Sequence, residues 1–242
     1  MTARANVASQ TPRIGLMRDG ETFLDTQLAD TPLQQPSLLP GWTRAHIAAH
    51  LVGNARGLLN LLRWASTGHE TPMYPNVEAR NRDIDEWARQ PDAQLKAMVS
   101  HTAEAFYAAA AALPAQAWTT TVRTALGREI PAAEVIWLRT RETWIHAIDL
   151  ARGAWFDALP DPLIDALLTD VCTTLSTRQG CPAVRLTPED RVRTWTTGPA
   201  DIEAATVEGT AAELLAWITG RNRGQRPAVT AKHELPVLPA WL

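Results

Sequence analysis

Residues 44–66, "RAHIAAHLVGNARGLLNLLRWAS", contain no proline and repeat apolar side chains at helical spacing. Ile47, Leu51 and Leu58 fall on one face, with Asn54 among them. A run of this length is too long for a strand, so it commits this part of the chain to a helix that buries one side. Thr43 is placed to cap its start and Gly68 to end it. The same period appears in residues 13–30, through Ile14, Leu16, Met17, Phe23, Leu24 and Leu28. Three prolines in "DTPLQQPSLLPGW" then break it. A polar stretch at 76–89 and an alanine-rich one at 92–113 predict a third, broken helix. Residues 117–130 predict a short hairpin or a loop around "LGRE". Pro131, at a first helical position, predicts the start of a fourth helix running to about Arg152, before Gly153. Four helices with short connections argue for a bundle.

After "GAWFDALPDP" the pattern changes. A helix over 161–178 precedes three short β-like runs, "AVRLTP", "RVRTWTTG" and "DIEAATVEG". A helix over 210–220 and a proline-rich tail follow. The expectation is a mainly α protein: a four-helix bundle in residues 1–155 and a smaller α+β domain in 156–242.

Composition excludes several function classes. The net charge is −3 and there is no basic tract, so nothing favours nucleic acid. No stretch approaches the length of apolar residues a membrane span needs, and the first residues lack a secretory signal's apolar core. A cytoplasmic monomer is the expectation. Two cysteines, Cys172 and Cys181, make neither a disulfide framework nor a four-cysteine zinc site. Ten tryptophans beside three phenylalanines and two tyrosines serve equally to pack a core or to wall a pocket.

Chemistry concentrates in two helices. "RETWIHAIDL", residues 141–150, sets Glu142, His146 and Asp149 on one helical face. In the second helix His46 and His50 are also four apart, and His50 lies beside the apolar face. A histidine turned into a bundle core needs a partner for its nitrogens. If Glu142 and His146 turn inward as well, three ligands converge as bundle metal sites require. Two imidazoles and one carboxylate suit Zn²⁺ with a fourth position open. Asp149 would hold an imidazole nitrogen behind the metal. Spacing alone does not choose between the Glu142–His146 pair and the His46–His50 pair.

The segments "LLPGWTRAHIAAHLVGNARGLLNLL", "TPMYPNVEARNRDI", "WLRTRETWIHAIDL", "LLAWITGRNRG" and "PVLPAWL" together resemble the mycothiol-dependent maleylpyruvate isomerases, in order and spacing over nearly the whole chain. That resemblance implies a DinB-like four-helix bundle followed by a small α+β domain. It implies zinc ligands at His50, Glu142 and His146, with His46 not among them. It places the family's functional arginines at Arg80 and Arg221, and Arg82 has only proximity in its favour. The implied reaction is the isomerisation of maleylpyruvate to fumarylpyruvate, as in gentisate-type catabolism: a thiolate adds to the double bond, the bond rotates, and the thiolate leaves. The thiol would be mycothiol or another low-molecular-weight thiol, since neither cysteine has an activating neighbour in sequence. Arginine offers the planar fork that a dicarboxylate substrate needs. Arg221 is expected to act from the second domain on substrate near the metal. Two other readings are a thiol S-transferase that consumes mycothiol, bacillithiol or glutathione, and a non-enzymatic zinc-stabilised binding module.

Overall fold

A computed structural model describes residues 2–222, 228–232 and 234–241, with side chains from residue 13 onward. Arg223 and Gly224 of the "GRNRG" segment, and Leu242, lie outside the described residues. The chain divides into two compact units, residues 1–153 and 154–242.

The first unit holds five helices: α1 (Thr2–Leu28), α2 (Arg44–Thr67), α3 (Val77–Trp87), α4 (Asp92–Ala112) and α5 (Glu134–Asp149). α1 packs on α5, and α2 packs on both α4 and α5, which makes the four-helix bundle; α3 lies against α2. The polar and alanine-rich stretches are two separate helices because each has its own start. Asn76 Oδ1 accepts from the Ala79 backbone N–H at 2.7 Å to cap α3, and Pro91 precedes α4. α2 ends at Gly68, whose φ of 75° lies in the left-handed region and lets its N–H reach the Trp64 carbonyl.

Pro131 does not begin the fourth helix. It is the last residue of β2 (Glu129–Pro131), which pairs antiparallel with β1 (Thr121–Arg123) in the register Val122↔Ile130. Val122 and Ile130 are both buried, and burying them together favours the hairpin. The next two N–H groups, of Ala132 and Ala133, bond back to Thr120 and Trp118 carbonyls, so α5 starts only at Glu134.

In the second unit α6 (Asp161–Ser176) and α7 (Ala211–Ile218) accompany a four-stranded sheet of order β4-β3-β5-β6. Its strands are β3 (Val184–Pro188), β4 (Trp195–Thr197), β5 (Ala205–Gly209) and β6 (Thr230–Ala231). β3 is antiparallel to β4 and parallel to β5, and β6, from the proline-rich tail, is antiparallel to β5. Val184 and Leu186 point into the core and Arg185 out, the period-2 alternation of a half-buried strand. Thr210 and Glu213 form a reciprocal capping box at the start of α7. No helix among the described residues is long and apolar enough to cross a membrane.

Among the described residues, the bundle's apolar side chains gather into two clusters. One gathers Met17, Leu58, Leu62, Phe106 and Leu138; the other gathers Leu24, Leu51, Val99, Ala147 and Leu150. Between them on α1 sits Glu21, on α2 Asn54, and on α5 Arg139 and Glu142, all buried. A polar layer crosses the bundle, and the candidate site belongs to it.

Candidate metal centre

The start of α2 is tied to the end of α5. Arg44 Nε donates to the Leu150 carbonyl at 2.8 Å and Nη2 to the Ala151 carbonyl at 3.3 Å, satisfying acceptors that a helix C-terminus leaves open. Leu38 N–H adds a bond to the Asp149 carbonyl at 2.9 Å. From that tie the helices run antiparallel. His50, six residues into α2, is roughly 9 Å along its axis, and His146, four residues before Leu150, roughly 6 Å back along α5. That brings their rings level.

The rings meet edge-on with centroids 4.7 Å apart. His50 Nε2 lies 2.8 Å from Glu142 Oε2, and His146 Nε2 lies 3.4 Å from the same oxygen. Donor atoms of His50, Glu142 and His146 all fall within 4.8 Å of one another, the one such group of three among the described residues. Their side chains are only 10–12% exposed. The chain separation between His50 and Glu142 is 92 residues.

Each ring's outer nitrogen is also held. His146 Nδ1 lies 2.9 Å from Oδ2 of Asp149, which is fully buried. His50 Nδ1 lies 3.0 Å from Arg80 Nη2. Arg80 also donates from Nη1 to Asn81 Oδ1 at 3.0 Å, and its Cζ stands 5.8 Å from the centroid of the Tyr74 ring. Trp42 closes another side, 5.8 Å from the His50 ring.

Three titrations follow. Burial alone would raise Glu142, but hydrogen bonds from His146 and His50 outweigh it and hold the carboxyl well below its usual range. Burial lowers His50, and its bond to Glu142 does not compensate. Burial would lower His146 too, yet the hydrogen bonds to Asp149 and Glu142 prevail and lift it to about 9. One carboxylate is thus kept charged between a histidine that resists protonation and one that accepts it.

His46 turns away from this group. Its Nδ1 lies 2.8 Å from Thr43 Oγ1 and accepts the Thr43 backbone N–H at 3.2 Å, so the ring caps the start of α2. Arg82 is exposed on α3. Arg221 follows α7 in the second unit, where Nη1 donates to the Thr219 carbonyl at 2.7 Å. It lines a cavity of about 290 Å³ with Trp155, Asp157, Trp217 and Asn222. Cys172 and Cys181 are buried, and burial pushes the Cys172 thiol up to about 12.

Sequence reasoning passed over Arg139, Glu21 and Tyr74. Arg139, fully buried one turn before Glu142, donates from Nε to Glu21 at 2.7 Å and from Nη1 to the Leu51 carbonyl and Asn54 Oδ1, both at 3.1 Å. It thereby clamps α5 to α2 beside His50. Glu21 had a legible signal: it sits on the stripe Met17, Leu24, Leu28, where a carboxylate needs a buried partner.

The profile of the mycothiol maleylpyruvate isomerase N-terminal domain matches residues 18–151, and that of the family's C-terminal domain matches residues 158–240. The chain belongs to the mycothiol maleylpyruvate isomerase family. Among solved structures it resembles a mycothiol-dependent maleylpyruvate isomerase and a histidine-to-alanine mutant of that protein. In both cases identity is 32% over 95% of this chain and 96% of the other, with a TM-score of 0.88. No curated protein sequence matches the chain. In this family member the whole His50–Glu142–His146 group lies inside the N-terminal profile match.

Proposed function

We propose that the chain converts maleylpyruvate to fumarylpyruvate with mycothiol as cofactor, and that His50, Glu142 and His146 hold a zinc ion. The observation that carries this reading is the convergence of two imidazole Nε2 atoms on one buried carboxylate in a chain of this family. The donor set fits the ion. Three protein ligands leave a fourth position for a thiol, and a buried Asp149 behind His146 is the outer partner that metal-bound histidines commonly have. Bound there, zinc would keep the cofactor's sulfur as thiolate at neutral pH.

The remaining work falls to the chain. Asp149 orients His146 and fixes the nitrogen that faces the site. Trp42 and Tyr74 keep the surroundings apolar, which strengthens each charge inside. Sulfur addition to the cis double bond leaves a single bond that rotates, with the negative charge delocalised onto the adjoining carbonyl as an enolate. Elimination restores the double bond as trans and returns the thiolate. Arg80 supplies a fixed cation for that enolate or for a substrate carboxylate. Neither cysteine is suited to the nucleophile's role: both are buried, and the Cys172 thiol, pushed up by that burial, stays protonated.

The test follows maleylpyruvate absorbance with purified protein, with and without zinc and mycothiol. Many turnovers per mycothiol, dependent on both, support the reading. Stoichiometric loss of the thiol identifies an S-transferase, and isomerisation by thiol-free Cys172→Ser, Cys181→Ser protein overturns the external nucleophile.

A further inference from the structure

We propose that Arg80 and the metal compete for His50, so that filling the metal site frees the Arg80 guanidinium for a substrate carboxylate. The proposal rests on reading the triad as a metal site. Arginine only donates hydrogen bonds and does not deprotonate in proteins. With Arg80 Nη2 at 3.0 Å, His50 Nδ1 must therefore present its lone pair. The ring's proton then sits on Nε2, where it is donated to Glu142 Oε2 at 2.8 Å.

Nε2 is also the atom that faces the common point with His146. A neutral imidazole that ligates through Nε2 carries its proton on Nδ1. An N–H at Nδ1 would meet the guanidinium donor to donor. The two arrangements exclude each other. Passing from one to the other moves a single proton from Nε2 to Nδ1 by way of solvent, and the ring stays neutral throughout.

Release would not cast Arg80 loose. Its Nη1 keeps Asn81 Oδ1 at 3.0 Å and its Cζ keeps the Tyr74 ring at 5.8 Å, so the fork stays beside the site with Nη2 exposed to a ligand. Protein lacking metal would thus withhold its carboxylate fork. By linkage, a carboxylate that engages Arg80 would in turn strengthen metal retention.

The experiment measures zinc affinity by chelator competition on the full chain. Arg80→Met removes the competing bond and should bind zinc on the order of tenfold more tightly than wild type, the equilibrium worth of one charge-assisted hydrogen bond. Arg82→Met removes the same charge from an exposed position on the same helix and should change affinity less than about twofold. Long-range ¹H–¹⁵N spectra of the histidine rings should show His50 protonated at Nε2 without metal and at Nδ1 after zinc is added. A metal-free His50 protonated at Nδ1, or Arg80→Met binding zinc no more tightly than wild type, overturns the proposal. Wild-type protein that takes up no zinc at all would instead remove the metal reading on which it stands.

Discussion

His146 carries the sharpest consequence of any single residue. Held to about 9 against an unfolded value near 6.5, it gives the metal-free fold stability that is complete below pH 6.5 and lost as pH rises through 9. Glu142 has the opposite sign: its contribution is present above its unfolded value of 4.5 and vanishes only as pH falls through its lowered folded value. Urea titrations of chelator-treated protein should therefore show a midpoint that declines between pH 6.5 and 9. Metal needs His146 neutral, so zinc affinity should climb with pH over the same interval, as chelator competition would register. His50→Ala and His146→Ala should each lose zinc by elemental analysis while keeping their helical circular dichroism. Full zinc content in both would remove them as ligands. Asp149→Asn, which keeps the shape but not the charge behind His146, should weaken zinc about 10- to 100-fold.

At the level of elements, the position of α5 decides the geometry of the site, and α1 is pressed directly against it. A Cβ added at Gly20 would lie 2.6 Å from both Thr143 Oγ1 and Trp144 Nε1, on the residues that follow Glu142. Trp144 cannot easily yield, because its Nε1 donates to the Leu16 carbonyl at 3.0 Å and its ring stacks on Phe23. Gly20→Ala should cost about 1–3 kcal/mol in chemical denaturation and loosen zinc as α5 shifts. The α2 and α5 periodicities were readable because each helix keeps a long apolar stripe, and the stripe also put Glu142 and His146 on one face. The hairpin at 121–131 was legible only as an alternative to a loop, because its strands are three residues each and are defined by one buried pair, Val122 and Ile130. Pro131 suits a helix start as well as a strand end, and only the neighbouring backbone bonds of Ala132 and Ala133 decide between them. Choosing His50 over His46 likewise needs the contact of the His46 ring with Thr43 at the start of α2, which spacing does not encode.

For the whole molecule, the polar layer between the two apolar clusters sets what can be changed. Arg139 and Glu21 are buried as a pair at 2.7 Å. Removing one partner strands the other, and Glu21→Leu or Arg139→Met should each destabilise by about 3–5 kcal/mol. The double variant should recover much of that loss, a non-additivity that a double-mutant cycle measures directly. Covering the layer is the cost of seating charged ligands in a bundle. The layer also joins distant parts of the chain, since His50 and Glu142 stand 92 residues apart. On a ribosome adding roughly 5–20 residues per second, His50 emerges on the order of 5–20 s before its partners exist. Until then the growing chain offers no complete triad, and helix α2 must wait with its histidine unmatched. On the proposed reading, metal uptake therefore comes late in the life of the newly made protein, because it waits for the synthesis of α5.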